Sequence, residues 1–207
     1  MSDKVSKKIS LGFTSEKFEP GVHICQIYSS DDERHQALID FVISGLEGEE
    51  NTACFTEKET EESILEHIKN KGIDLEEVKD KGCFSISDTK SVYFQDNKFS
   101  PDRMLGLLKD FYSSSMEKGC CGARVIGEMT EEIEHVQDGS RLLEYESKVS
   151  MLLRDHPVNA VCQYDATKFS GSTIMEILKV HPYMIVRGKV VRNPYYVTPE
   201  EYLESIK

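Results

Sequence analysis

The sequence has little of what marks a membrane or secreted protein. Its 207 residues contain no tryptophan, and no apolar run approaches the ~20 residues that a transmembrane helix needs. The first ten residues, MSDKVSKKIS, lack the apolar stretch of a secretory signal peptide. We therefore expect a cytoplasmic protein that does not bind a membrane and whose six cysteines are reduced thiols.

Basic charge is also scarce. Lys and Arg total 25 against 37 Asp and Glu, so the formal net charge is −12, and the one dense basic run spans residues 4–8. Because nucleic acids are bound through clustered basic side chains, direct nucleic-acid binding is not expected. The chain has no C-x-x-C pair and no G-x-S-x-G motif. These absences exclude the zinc-ribbon and thioredoxin spacings and the nucleophile elbow of a hydrolase.

What the sequence does contain is a regular alternation of apolar strands and amphipathic helices. The segments HICQIY, NTACFT, CFSISDT, ARVIGEM and VNAVCQYD are typical of strands, and helical spacing separates them. This alternation predicts a three-layer α/β fold, with a mostly parallel central sheet and helices on both faces. MIVRGKVVRNPYYV adds a C-terminal β-hairpin that turns at Gly188. We expect a flexible N-terminal arm over residues 1–20 and a single domain over residues 21–207.

The corner after the first predicted strand has the sequence YSSDDE. In many α/β proteins this corner is a glycine-rich loop that holds phosphate with the help of a lysine. Here both are missing, and Asp31 and Asp32 occupy the helix end where an anion would bind. Ser30 and Glu33 predict a capping box instead. Hydrolysis of a magnesium nucleotide is therefore disfavoured.

A ligand site is expected at the carboxyl ends of the strands, which is where open α/β sheets bind their ligands. The residues predicted to form this rim are polar, aromatic or acidic: Tyr28, Ser29, Ser30, Glu57, Glu128, Met129, Tyr164 and Asp165. The simpler alternative is that the serines only cap a helix and the acids are solvated. That alternative is weakest for Glu128, which ends an apolar strand and needs Arg124 or a ligand as its partner.

The cysteines and histidines allow two further interpretations. His23 and Cys25 share one face of a strand, and with Cys162 and His181 they could bind zinc. We predict no metal, because free cysteines on central strands are usually core residues and both histidines begin strands, away from the rim. Two adjacent thiols between glycines form a candidate redox pair, Cys120 and Cys121, although the simpler alternative is that they are incidental thiols in a loop before a strand.

Seven stretches, in this order, carry a resemblance to a known family: HICQIY, FVISGLEGEE, ARVIGEMT, LEYESKV, VCQYD, HPYMIV and NPYY. Over roughly residues 20–197 the chain resembles the MEDS domain, the methanogen/methylotroph sensory domain named from a dichloromethane-responsive repressor. The resemblance implies a RecA/KaiC-like fold whose phosphate loop has been lost. It also implies that Glu57 and Glu59 lie where that superfamily has a catalytic glutamate, and Glu128 where it has a magnesium-binding acid. Without the phosphate-loop lysine, we expect neither an enzyme nor a cofactor.

The family is proposed to sense one-carbon or hydrocarbon-derived compounds, usually as part of a protein with a DNA-binding or signalling module. Only about twenty residues precede the resemblance, too few for a helix-turn-helix. We therefore expect a stand-alone sensory domain that binds a small organic ligand and signals to a separate regulatory protein, with a homodimer as one possible state. The alternative is a non-catalytic interaction module derived from an ATPase. A magnesium-nucleotide enzyme is the third, less favoured, function.

Overall fold

The computed structural model describes residues 8–207, except the side chains of Leu75 and Lys79. Its strands are β1 (Ile9–Ser10), β2 (Lys17–Phe18), β3 (His23–Tyr28), β4 (Glu50–Phe55), β5 (Phe84–Ser87), β6 (Phe94–Gln95), β7 (Lys98–Phe99), β8 (Gly122–Met129), β9 (Val158–Asp165), β10 (Tyr183–Val186) and β11 (Lys189–Arg192). Seven strands form one sheet in the order β11-β10-β3-β9-β8-β4-β5. Six of these run parallel, and β11 returns antiparallel along β10. The predicted parallel sheet and C-terminal hairpin are confirmed.

Helices cover both faces of this sheet. They are α1 (Asp31–Glu47), α2 (Glu61–Asn70), α3 (Leu75–Lys81), α4 (Thr89–Tyr93), α5 (Pro101–Glu117), α6 (Leu142–Asp155), α7 (Gly171–Val180) and α8 (Pro199–Ser205). Ile24 and Val161 pack with α1 and α2, whereas their neighbours Cys25 and Ala160 pack with α5, α6 and α7. Because successive strand residues point to opposite faces, the two cores lie on opposite sides of the sheet. None of the helices among the described residues is long and apolar enough to cross a membrane.

The N-terminal segment differs from the prediction of a flexible arm. Residues 9–18 form the small antiparallel sheet of β1 and β2, and the side chain of Leu11 is fully buried. The Ser10 carbonyl accepts hydrogen bonds from Ser44 and from the buried Arg124. From residue 8 onward the segment is therefore packed onto the domain, because its apolar side chains complete the core beside α1. Residues 1–7 lie outside the described residues.

Two local predictions differ in outcome. The spacing of Thr198 and Glu201 predicts a capping box at the last helix, and this is confirmed, since each side chain accepts the backbone N–H of the other residue. The capping box at α1 is wrong: Ser30 is the N-cap, but within the described chain its hydroxyl caps no backbone N–H. The acid that follows, Asp31, instead binds Arg34. KSVYFQDNKF, which has no clear periodicity, forms α4 and the small hairpin of β6 and β7.

A buried ion pair fixes how α1 lies on the sheet. Arg124 on β8 donates to both carboxylate oxygens of Glu50, at 2.9 and 2.6 Å, and to the Phe41 carbonyl at 2.8 Å. The guanidinium lies 4.7 Å from the centre of the Phe41 ring. The arginine reaches this position only because α1 has a glycine opposite it: a Cβ on Gly45 would lie 2.5 Å from the Arg124 Cδ.

We expect Gly45→Ala to destabilise the protein by about 1–3 kcal/mol, since the added methyl group overpacks a site where Arg124 cannot move cheaply. The matched control is Gly106→Ala in α5, where an added Cβ has nothing within 4 Å among the described residues. That change should instead stabilise by roughly 0.5–1 kcal/mol, because alanine is the better helix former. Thermal unfolding of the two variants measures whether each substitution lowers or raises the stability of the protein. Equal effects would contradict this account of the α1 contact.

Candidate functional site

A single arginine fills the corner between β3 and α1. The Arg34 guanidinium has no solvent exposure and contacts three carboxylates. Its Nη1 lies 2.5 Å from Oε1 of Glu128, its Nη2 2.7 Å from Oε1 of Glu59, and its Nε 2.8 Å from Oδ1 of Asp31. One side chain thus joins the first turn of α1 to the ends of β4 and β8.

Further hydrogen bonds hold these carboxylates in place. Thr56 donates to Glu128 at 3.0 Å, and His35 lies 2.7 Å from Glu59. Burial alone would raise the pKa of Glu59, but the hydrogen bonds from His35 and Arg34 outweigh it and lower that pKa. The hydrogen bond from Arg34 is also the main reason that the pKa of Asp31 falls to about 2. Both carboxylates are therefore ionised at neutral pH.

The partner of Glu128 is neither of the two that the sequence suggested, Arg124 or a ligand. Arg124 binds Glu50 near the other end of α1, and Arg34 binds Glu128. Sequence reasoning missed Arg34, although it is the lone basic residue in YSSDDER. Three carboxylates surround this one guanidinium, so the corner has an excess of negative charge. This charge disfavours the binding of a phosphate.

The predicted rim residues meet around a polar cavity of about 180 Å³ at the carboxyl ends of the strands. Five of the eight line it: Tyr28, Glu57, Glu128, Met129 and Asp165. Three lysines share the lining, and the Nζ of Lys58 lies 3.2 Å from the Tyr28 hydroxyl. Ser29 and Ser30 are exposed and are not part of this lining. Tyr164 is fully buried elsewhere, where its hydroxyl donates to Glu146 at 2.8 Å.

A second cavity, of about 240 Å³, lies between the sheet and the helices α4, α5 and α6. We call it the apolar cavity. Its sheet side is formed by β4, β5, β8 and β9 and its helix side mainly by aliphatic and aromatic residues: Val92, Tyr93, Met104, Leu107, Leu108, Phe111, Tyr145 and Val149. Tyr93 and Tyr145 are buried, and both contribute phenol groups to the lining. An apolar volume with two phenol groups in its wall can hold a small molecule that carries one polar atom.

A glycine in the middle of a strand makes room for this arrangement. A Cβ on Gly127 would lie 2.9 Å from the Tyr93 hydroxyl and 3.3 Å from the Phe55 ring. Glycine inside a strand often marks such a close approach. In the sequence, the feature that indicates this cavity is therefore the glycine that interrupts the apolar run RVIGEM.

The thiols predicted as a redox pair do not face each other. The Cys120 Sγ lies 2.6 Å from the Sγ of Cys83, whereas Cys121 is exposed and its thiol lies 3.4 Å from a Glu49 carboxylate oxygen. Burial raises the pKa of Cys120 to about 12. A redox role for Cys120 remains a prediction, and its nearest partner for a disulfide is Cys83.

The fold is that of RecA/KaiC-like proteins. A KaiC-like protein from the archaeon Pyrococcus horikoshii OT3 is similar, with a TM-score of 0.57 at 15% identity, over 86% of this chain and 79% of that one. The flagellar accessory protein FlaH from Methanocaldococcus jannaschii gives 0.56 at 8% identity, over 83% and 75%. An uncharacterized Pyrococcus horikoshii protein, solved with an unknown peptide, gives 0.57 at 11%, over 84% and 82%.

Among proteins with a RecA/KaiC-like fold, the sequence identifies the family to which this chain belongs. The model of the MEDS family, the MEthanogen/methylotroph, DcmR Sensory domain, matches residues 22–182. The chain therefore belongs to the MEDS family, which confirms the resemblance carried by its motifs. No curated protein is significantly similar to it in sequence.

We expect Arg34→Gln to lower the free energy of unfolding by about 3–5 kcal/mol, because Glu128 and Glu59 would remain buried without their cation. Urea denaturation followed by circular dichroism measures the loss. The matched control is Arg154→Gln, which breaks an ion pair with Glu200 in which both side chains are 54% exposed. It should have much less effect. We call Arg34 with Asp31, Glu59 and Glu128 the Arg34 cluster. Similar losses of unfolding free energy in the two variants would show that this cluster does not organise the corner.

Proposed function

We propose that this protein is a sensory domain that binds a small, weakly polar organic compound in the apolar cavity. The observation that carries the proposal is an apolar lining that also contains the phenol groups of Tyr93 and Tyr145. Membership of a sensory-domain family supports the same function class.

The size of the apolar cavity supports a ligand of few atoms. Its 240 Å³ is below the roughly 300–1,000 Å³ of sites for drug-sized molecules. An apolar cavity of roughly 150 Å³ can already bind benzene. One-carbon and short hydrocarbon derivatives, such as halomethanes, alcohols, thiols or methylated amines, fall in this range. A phenol hydroxyl can donate to their halogen, oxygen, sulfur or nitrogen atom.

Signalling follows if the ligand favours one arrangement of the cavity wall. Leu107 on α5 lines the cavity and is 44% exposed, so the same helix faces both the ligand and the solvent. A ligand that binds one arrangement of α5 more tightly shifts the population towards it. We propose that a separate regulatory protein reads this change in the cytoplasm, with a homodimer as one state of the sensor.

The rim predicted from the sequence is a second candidate position for the ligand. Its cavity has an aromatic wall in Tyr28 and carboxylates in Glu57, Glu128 and Asp165, which suits a small polar or cationic compound. A magnesium nucleotide is disfavoured at the same place, because the Arg34 cluster fills the corner with carboxylates. We therefore propose a protein that is not an enzyme.

The test is a thermal-shift screen of the purified chain with dichloromethane, methanol, methanethiol, trimethylamine and Mg-ATP. A ligand at about 100 times its Kd stabilises by about 2.7 kcal/mol, which raises Tm by roughly 5–10 °C for a domain of this size. Ala53→Ile fills the apolar cavity from β4, and Glu57→Tyr fills the rim cavity. We expect an organic compound to raise Tm in the native protein and in Glu57→Tyr, but not in Ala53→Ile.

Each other result contradicts a defined part of the proposal. Loss of the shift in Glu57→Tyr alone would assign the ligand to the rim and overturn the apolar cavity. No shift with any organic compound would overturn binding of this ligand class and favour the interaction module. A shift with Mg-ATP would overturn the conclusion that the Arg34 cluster excludes nucleotides.

A further inference from the structure

Four side chains that can bind a metal converge under α6 and α7, on the same face of the sheet as the apolar cavity. They are His23 at the start of β3, Glu146 on α6, Cys162 on β9 and His181 directly after α7. Their ligand atoms all lie within 4.8 Å of one another. The two histidines and the glutamate are at most 1% exposed. We call this group the His–Glu–Cys cluster.

The measured separations suit tetrahedral coordination. Glu146 Oε2 lies 3.2 Å from His23 Nε2, 3.6 Å from His181 Nε2 and 3.7 Å from Cys162 Sγ. Cys162 Sγ is also 3.7 Å from His23 Nε2. Zinc binds nitrogen, oxygen and sulfur at about 2.0–2.3 Å, so the ligand atoms of a tetrahedral site stand roughly 3.3–3.8 Å apart. Four of the six separations between ligand atoms therefore lie close to this range, and the other two are no longer than 4.8 Å.

The outer hydrogen bonds point the right atoms inward. His181 Nδ1 lies 2.8 Å from the Ile177 carbonyl, and because a carbonyl oxygen can only accept, Nδ1 carries the proton. The lone pair of His181 Nε2 therefore faces the cluster, and this buried atom has no hydrogen-bond partner among the described residues. His23 Nδ1 lies 2.8 Å from the Ser150 hydroxyl. Tyr164 donates to Glu146 Oε1, which leaves Oε2 for the centre. Histidines that bind metals are typically oriented in this way.

Charge balance favours a divalent ion in this buried place. A thiolate from Cys162, a carboxylate from Glu146 and two neutral imidazoles would bring the net charge of a divalent site to zero, which a buried site requires. Both imidazoles are buried, and the neutral imidazole is the form that coordinates a metal.

From this geometry we propose that His23, Glu146, Cys162 and His181 form a tetrahedral site for a borderline transition-metal ion, with zinc as the best fit. Mixed imidazole, thiolate and carboxylate ligands are typical of zinc and exclude calcium and magnesium, which take oxygen ligands. Binding forms four coordinate bonds and releases the Cys162 thiol proton to solvent. Cys162 also lines the apolar cavity, so the ion would lie behind one wall of the proposed ligand site. The metal site does not depend on that ligand.

The experiment is a cobalt titration of the chelator-treated, reduced full chain under anaerobic conditions. We expect one Co²⁺ per chain, with the visible absorption of tetrahedral cobalt, a thiolate-to-cobalt charge-transfer band, and displacement by Zn²⁺. Cys162→Ala should lose the charge-transfer band and weaken metal binding by more than the 10–100-fold typical of an outer-shell change. The matched control, Cys25→Ala, removes a buried cysteine paired with Cys162 in the sheet but outside the cluster, and should keep both signals.

An unchanged charge-transfer band in Cys162→Ala, or its absence from the native chain, would overturn the site. If Cys162→Ala does not fold, a measurement on the native chain still tests the proposal. X-ray absorption of the zinc-loaded protein should show one sulfur at about 2.3 Å with nitrogen and oxygen at about 2.0–2.2 Å. Coordination by nitrogen and oxygen alone would place the ion elsewhere and contradict the proposal.

Discussion

The buried guanidinium of Arg34 is the interaction on which the carboxyl edge of the sheet depends. It contacts Asp31 in the first turn of α1, Glu59 after β4 and Glu128 at the end of β8. A phosphate-binding member of this fold class has a glycine-rich loop and a lysine at the same corner. Here a positive charge is still present at the corner, but it belongs to a side chain whose partners are the protein's own acids. The corner is therefore occupied by the protein's own side chains, and the ligand that we propose would be bound beside it or on the other face of the sheet.

The two faces of the sheet differ in what they contain. The face of the sheet that packs against α1 carries a second buried pair, Arg124 with Glu50, and is filled by α1 and α2. The opposite face, under α4–α7, has the apolar cavity and the His–Glu–Cys cluster, which share Cys162. We infer that the binding functions of this domain lie on that second face. An ion at the cluster would hold β3, β9, α6 and the C-terminal end of α7 together beside the ligand.

Much of the fold could be predicted from local pattern. HICQIY and VNAVCQYD are buried parallel strands because both of their faces are apolar, and the Thr198 capping box starts α8 as its spacing indicates. The packing of residues 9–18 onto the domain was not predicted. Apolar residues are spread thinly along this polar segment, so that the burial of Leu11 depends on a surface formed by α1.

The sites were harder to predict, because they depend on contacts between residues far apart in the chain. Arg34 and Glu128 are 94 residues apart, and nothing local to either shows that they pair. His23, Cys162 and His181 were considered together from the sequence, but with Cys25 in place of Glu146, and no metal was predicted. The sequence of LEYESKV fits either a buried or a solvated Glu146, and the structure buries it. Tyr164 was assigned to the rim because it follows the apolar part of β9, yet its side chain points to the cluster, since alternate residues of a strand face opposite sides.

The central claim is that a filled phosphate corner leaves the apolar cavity as the ligand site. Anomalous X-ray scattering from crystals exposed to dibromomethane tests it most directly, because bromine can be located without assuming where the compound binds. The account predicts bromine between the sheet and α5, within contact distance of Tyr93 and Tyr145. Bromine among Tyr28, Glu57 and Asp165, or none bound inside the protein, would contradict it.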